Sequence, residues 1–130
     1  MNHLGLASVF GALALSLAAT AGAGVTTIEL NGVDSWDLQG DSDNVILAID
    51  LGPATAVTGI GWAVDITPVG FSWYSEATLL FTDSLGGQGV SVTPGAGDDF
   101  AGAGIPMSYS SGGIIDLTNA GIPNIRLADG

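Results

Sequence analysis

The chain has no cysteine and no lysine, and only one arginine (Arg126) and one histidine (His3) among its 130 residues. Each absence closes a class of function. Without cysteine there is no disulfide, no thiolate nucleophile and no Cys-based zinc site. A single basic side chain stands against 13 acidic ones, for a formal net charge of −12. Such a chain cannot neutralise a phosphate backbone, so nucleic acid is excluded as a partner. Beyond His3 the sequence contains no His, Cys or Lys at all. Ser-His-Asp and Cys-His triads, lysine Schiff bases and His-based zinc sites therefore cannot be assembled there. What remains is the chemistry of carboxylates.

What the chain does have is apolar. Hydrophobic residues make up 47% of it and the mean hydropathy is +0.51, too apolar for a chain that stays disordered. The length suits one domain. Residues 4–19 form a run of apolar and small residues, broken only by Ser8, Ser16 and glycines. The run is shorter than the roughly 20 residues of a membrane-crossing helix. Behind it, Ala19-Thr20-Ala21-Gly22-Ala23 offers two A-x-A cleavage sites, after Ala21 or after Ala23. An apolar stretch followed by A-x-A is the pattern of a cleaved secretory signal. Its leading residues Met1-Asn2-His3 lack Lys and Arg, so the terminal amine and His3 supply what positive charge there is. The expectation is a signal-peptide helix over 1–23 and a secreted domain over 24–130 with no transmembrane segment. All acidic residues and Arg126 lie in 24–130, so its side chains still sum to −12.

Period-two alternation runs through that domain. Ile28 and Leu30 share one face, as do Val45, Leu47, Ile49 and Leu51. Ile60, Trp62, Val64 and Ile66 line another face, opposite Gly59, Gly61, Ala63 and Asp65. Ala77, Leu79 and Phe81 follow, then Val90 with Val92, Ile115 with Leu117, and Ile125 with Leu127. No window combines helical periodicity with caps and good helix formers. Turn signals fall at Asn31-Gly32, 40–44, Gly52-Pro53, 67–70, 84–89 and 110–113, and the glycine-rich stretch 93–106 reads as a long surface loop. Short strands between such turns predict an all-β, antiparallel, jelly-roll-like β-sandwich. Near the end, residues 125–128 read as a strand and Asp129-Gly130 as a hairpin turn with no strand after it. Either the protein continues and this chain is C-terminally truncated, lacking its last strand or strands, or the last strand closes differently. The first is favoured, and it leaves 125–128 as an unpaired edge.

The segments 57–66 (VTGIGWAVDI), 72–81 (SWYSEATLLF), 93–98 (TPGAGD) and 109–117 (YSSGGIIDL) resemble uncharacterised secreted bacterial proteins of the PEP-CTERM-associated type. The strand order is similar to the jelly roll of P-domain-like modules. The resemblance implies export and an antiparallel sandwich, and it implies no activity. The family's Pro-Glu-Pro, apolar C-terminal helix and basic tail are absent here, as they would be from a chain cut short.

Candidate sites are few. Asp83-Ser84-Leu85 resembles a GDSL-type hydrolase block, but Thr82 replaces the glycine and no histidine is at hand; Gly40-Asp41-Ser42-Asp43 fails in the same way. Glu76 with Asp65 or Asp50 would be the carboxylate pair of a glycosidase, although the polar face of a strand explains each more simply. Asp34, Asp37, Asp41, Asp43 and Asn44 gather hard oxygen ligands of the kind calcium prefers, without EF-hand spacing; Asp98-Asp99 is a lesser cluster. Asp also populates turns because its side chain bonds nearby backbone. Trp73 and Tyr74 sit beside a turn and are candidates to stack on a carbohydrate, whereas Trp62 belongs to the core. Arg126 is expected to pair with a nearby Asp. Together these predict a secreted, non-enzymatic structural or interaction module of the bacterial cell envelope or extracellular matrix. Its partner is a component of that envelope or matrix, and no cofactor is required. The alternative is a calcium- or carbohydrate-binding module, with a carboxylate-only glycoside hydrolase ranked last.

Overall fold

The computed structural model describes residues 6–19, 24–36 and 40–127. The chain is all-β and its strands pair antiparallel throughout. In chain order the strands are β1 (Leu6–Ala19), β2 (Gly24–Trp36), β3 (Ala56–Val69), β4 (Leu79–Thr82), β5 (Gly89–Val92), β6 (Met107–Ser110), β7 (Ile115–Asp116) and β8 (Ile125–Arg126), with a 3-10 turn at Tyr74–Glu76. Among the described residues no helix is long and apolar enough to cross a membrane.

β3 is the axis of the larger sheet. One edge pairs with β1, which pairs in turn with β2. The other edge takes β8 at Ala56 and Val57, β7 at Gly59 and Ile60, and β6 from Ala63 to Ile66. A bulge sets which side chains go inward. Ala18 pairs with Gly59 and Ala19 with Val57, so Thr58 is the extra residue. One inserted residue reverses the alternation, and that brings Val57 into the same buried cluster as Ile60. Gly61 is required for another reason: a Cβ there would lie 2.7 Å from the Gly113 carbonyl oxygen.

The core has two centres along this face. Val64, Ile66, Tyr74 and Ala77 form one; Val57, Ile60, Leu117 and Ile125 form the other. Trp62, Phe81 and Ile28 pack against both. The β4–β5 hairpin lays Leu79, Phe81, Val90 and Val92 on them. Burial of each such Ile or Leu contributes about 1.5–3 kcal/mol.

Several expectations need correction. Residues 6–19, for which a signal helix is the expectation, run here as β1, paired over most of its length with β2 and at its two ends with β3. The cleavage residues Ala21 and Ala23 lie outside the described residues. Asn31-Gly32 is no turn; β2 runs through it, with Gly32 at φ 65°. Residues 45–51 have the alternation of a strand but no ladder. Glu76 begins no strand and belongs to the 3-10 turn. At the far end Ile125 and Arg126 pair with Val57 and Ala56 of β3 on one side, and no other described strand pairs with β8; Ala128 lies outside the described residues. β6 falls in a segment with no strand expectation, since its alternating partners are Ser108 and Ser110 rather than charged residues.

Candidate functional site

The acidic side chains are distributed among local turns. The Asp41 carboxylate accepts the Asp43 N–H at 2.9 Å, inside a turn closed by Asn44 N–H to the Asp41 carbonyl. Asp34 is exposed on β2, opposite Ser8, and Asp37 lies outside the described residues. The proposed calcium set is therefore split between a strand and an Asx-type turn. Among the described residues no three His, Cys, Asp or Glu are grouped to hold a metal. The carboxylates considered for hydrolysis are likewise engaged separately. Glu76 accepts the Trp73 N–H at 2.7 Å, Asp50 the Gly52 N–H at 2.9 Å, and Asp65 the Ser108 hydroxyl. Asp83 and Asp116 do the same for Gly87 and Asn119. Carboxylates that cap backbone N–H groups define turns; a glycosidase needs two that face one bond. Among the described residues Arg126 makes no ion pair; its backbone N–H bonds the Gln88 side chain.

A different surface is well built. The turn at 69–72, closed by Ser72 N–H to the Val69 carbonyl, leads into the 3-10 turn. The loop 93–106 comes back alongside it. Gly102 N–H bonds the Ser72 carbonyl at 3.2 Å, Gly104 N–H bonds the Pro68 carbonyl at 2.8 Å, and Trp73 bridges Ala101. Tyr74 lies beneath, 1% exposed, with its phenol donating to the Ile105 carbonyl at 2.7 Å. Its ring meets Phe100 edge-on at 5.2 Å and Tyr109 at 6.2 Å. Two of the glycines in this loop sit where the chain presses on Tyr74. A Cβ on Gly95 would lie 2.5 Å from the Tyr74 carbonyl oxygen, and one on Gly102 would lie 2.5 Å from Pro68 and 2.8 Å from the Tyr74 ring. The Tyr109 hydroxyl donates to Asp98 at 2.7 Å and fastens the loop to β6. Burial, reinforced by that bond and the Asp98 charge, pushes the Tyr109 hydroxyl well above its ordinary range. Of the second acidic pair, Asp98 thus serves as an anchor, and Asp99 is exposed.

These anchors hold apolar side chains in solvent. Phe71 is 90% exposed, Ile105 64%, Phe100 50% and Trp73 44%. Scattered exposed apolar residues are ordinary; these four lie on two segments whose backbones are bonded to each other, the kind of placement a contact surface uses. The expected pair Trp73 and Tyr74 is not what the fold presents. Adjacent residues in extended chain face opposite ways, so Tyr74 goes into the core while Trp73 stays out. Phe71, two residues before Trp73, is the second exposed ring. That signal was present as Phe71-Ser72-Trp73-Tyr74, an alternation with Ser72 and Tyr74 inward. The part played by Phe100 and Ile105 carries no such signal, because both lie in the glycine-rich loop. Comparison with protein-family models, with curated proteins and with solved structures finds no match.

Proposed function

We propose that the chain is the precursor of an exported, non-enzymatic β-sandwich module that binds a component of the bacterial cell envelope or extracellular matrix. Residues 1–23 are its leader in this reading. The resemblance to PEP-CTERM-associated proteins supports the compartment. Packing of the β4–β5 hairpin over the inward face of β3 supports a jelly-roll-like sandwich. The observation that carries the functional reading is the contrast between the two kinds of side chain. The carboxylates are engaged one by one in turns, while Phe71, Trp73, Phe100 and Ile105 stand exposed on hydrogen-bonded loops. Rings held this way suit adhesion to a surface rather than bond cleavage.

The exposed Phe71 and Trp73 also favour a carbohydrate partner. Aromatic rings with one wet face stack on the C–H faces of sugars, and a charge of −12 disfavours polyanionic partners, which leaves neutral glycans. The test is co-sedimentation of the exported protein with envelope and matrix fractions. The native protein is expected in the pellet, and Phe71→Ala/Trp73→Ala is expected to bind about tenfold or more weakly, as for truncated aromatic anchors. Equal binding by the double variant would remove this surface from the reading, and no binding by either protein would remove the reading itself.

A further inference from the structure

Residues 45–51 pose an unsolved packing problem. They carry Val45, Leu47, Ile49 and Leu51 at period two, the composition of a strand, yet they form no ladder. Ile46 is 87% exposed, and Val45 and Leu47 are close to half exposed. Ile49 and Leu51 already touch the cluster of Val57, Ile60, Leu117 and Ile125. The position between β2 and β3 is held by β1, which runs antiparallel to both. The segment that joins β2 to β3 would run the same way if laid between them, giving a three-strand meander, the simplest connection available.

We infer that, once residues 1–23 are removed, residues 45–51 replace β1 between β2 and β3; this rests on reading residues 1–23 as a cleaved leader. The register supports it in detail. Leu15 lies between Ile28 and Trp62, Leu17 opposite Ile60, Ala19 opposite Val57 and Leu13 opposite Leu30. Placing Leu51 at the position of Ala19 sets Leu51 beside Val57, Ile49 beside Ile60, Leu47 between Ile28 and Trp62, and Val45 beside Leu30. All four alternating apolar residues then share rows with core residues of β2 and β3. Asp50 falls in the row of Gly59, Ala48 in that of Gly61 and Ile46 in that of Ala63, on the opposite face. A slip of one residue would send Asp50 to the core face, so this register is strongly preferred. The link to β3 is already shaped as a turn: Gly52 has φ 88°, Ala54 has φ 57°, and the Asp50 carboxylate accepts the Gly52 N–H. Removing β1 bares two strand edges, which recruit whatever strand is nearest. A segment tethered through residues 52–55 outcompetes a second molecule by effective concentration, and a second copy bearing −12 is repelled.

The chain has no cysteine, so one introduced pair reports without interference. In Ile46→Cys/Ala63→Cys the two positions become neighbours about 4.8 Å apart in the exchanged sheet, within the Cα range of a disulfide. In the uncleaved chain Ala63 is flanked by Ala14 and Ser110 instead. The full-length gene is expressed in a bacterial secretion host, with and without an Ala21→Leu/Ala23→Leu block on cleavage, and intact mass is read first. A mature mass with a disulfide inside one chain, absent when cleavage is blocked, is the expected result. A mature mass with no disulfide, or with one joining two chains, overturns strand exchange and leaves the leader reading intact. A disulfide within mature Glu29→Cys/Ala63→Cys overturns it too, since β2 would then lie directly beside β3. A protein that keeps residues 1–23 overturns both. Hydrogen exchange on the exported chain without substitutions is the check that needs no variant: protected amides over 45–51 are expected, and free exchange there overturns the inference.

Discussion

Tyr74 shows how much one residue can organise. It fills the core, its hydroxyl donates to the Ile105 carbonyl, and glycines at 95 and 102 let the loop 93–106 close on its backbone and its ring respectively. An added methyl at Gly102 would overlap Pro68 and that ring, so Gly102→Ala is expected to lower stability by about 1–3 kcal/mol, the usual cost of overpacking. Urea denaturation measures it, and an unchanged midpoint would show that the loop does not press on the core. Tyr109 gives a pH dependence with a definite sign. Its hydroxyl is neutral in the fold and resists ionisation, because burial and then Asp98 raise it above the ordinary 10.0. A group raised on folding stabilises fully below its unfolded value and loses that contribution as pH rises through the folded one. The unfolding midpoint of the native protein is therefore expected to fall as pH climbs above 10.0, and Tyr109→Phe is expected to flatten the decline. Parallel curves for the two proteins would contradict this.

Among elements, the 3-10 turn Tyr74–Glu76 has the exposed Trp73 as its N-cap. Glu76 caps it by accepting the Trp73 N–H. Replacing Glu76 by Ala is expected to cost about 1 kcal/mol, the net worth of one hydrogen bond, while Glu76→Gln keeps an acceptor and most of that stability. Thermal unfolding separates the two variants. The strands carry the same lesson about edges. β3 is long enough to serve β8, β7 and β6 along one side, and each of these short strands is held by β3 rather than by its own composition. That is why β3 was readable in advance and β6 was not: the alternation around Trp62 is strong, whereas Met107 and Tyr109 alternate only with serines.

For the whole molecule, charge is the dominant long-range term. With 13 acidic side chains and one arginine, and no ion pair on Arg126 among the described residues, the folded chain repels itself. Raising ionic strength from about 0.01 M to about 0.15 M shortens the Debye length from about 30 Å to about 8 Å. The melting temperature is expected to rise over that range, and calorimetry showing a fall would mean that attractive pairs dominate instead.

Composition alone determined what chemistry is absent. No spatial arrangement can create a thiolate, a lysine or, beyond His3, an imidazole. Local pattern determined the all-β character, since side-chain alternation is a property of consecutive residues. The tertiary structure decided the rest. Runs of apolar residues at 6–19 and at 45–51 both have strand composition, yet only the first pairs with β2 and β3 in this structure, and neither sequence alone says which. Likewise the alternation of residues 71–74 puts Trp73 and Tyr74 on opposite sides, but it does not say which side is the core. Only the closing of the loop over one ring separates the buried anchor from the exposed surface, because burial is set by contacts between segments far apart in the chain.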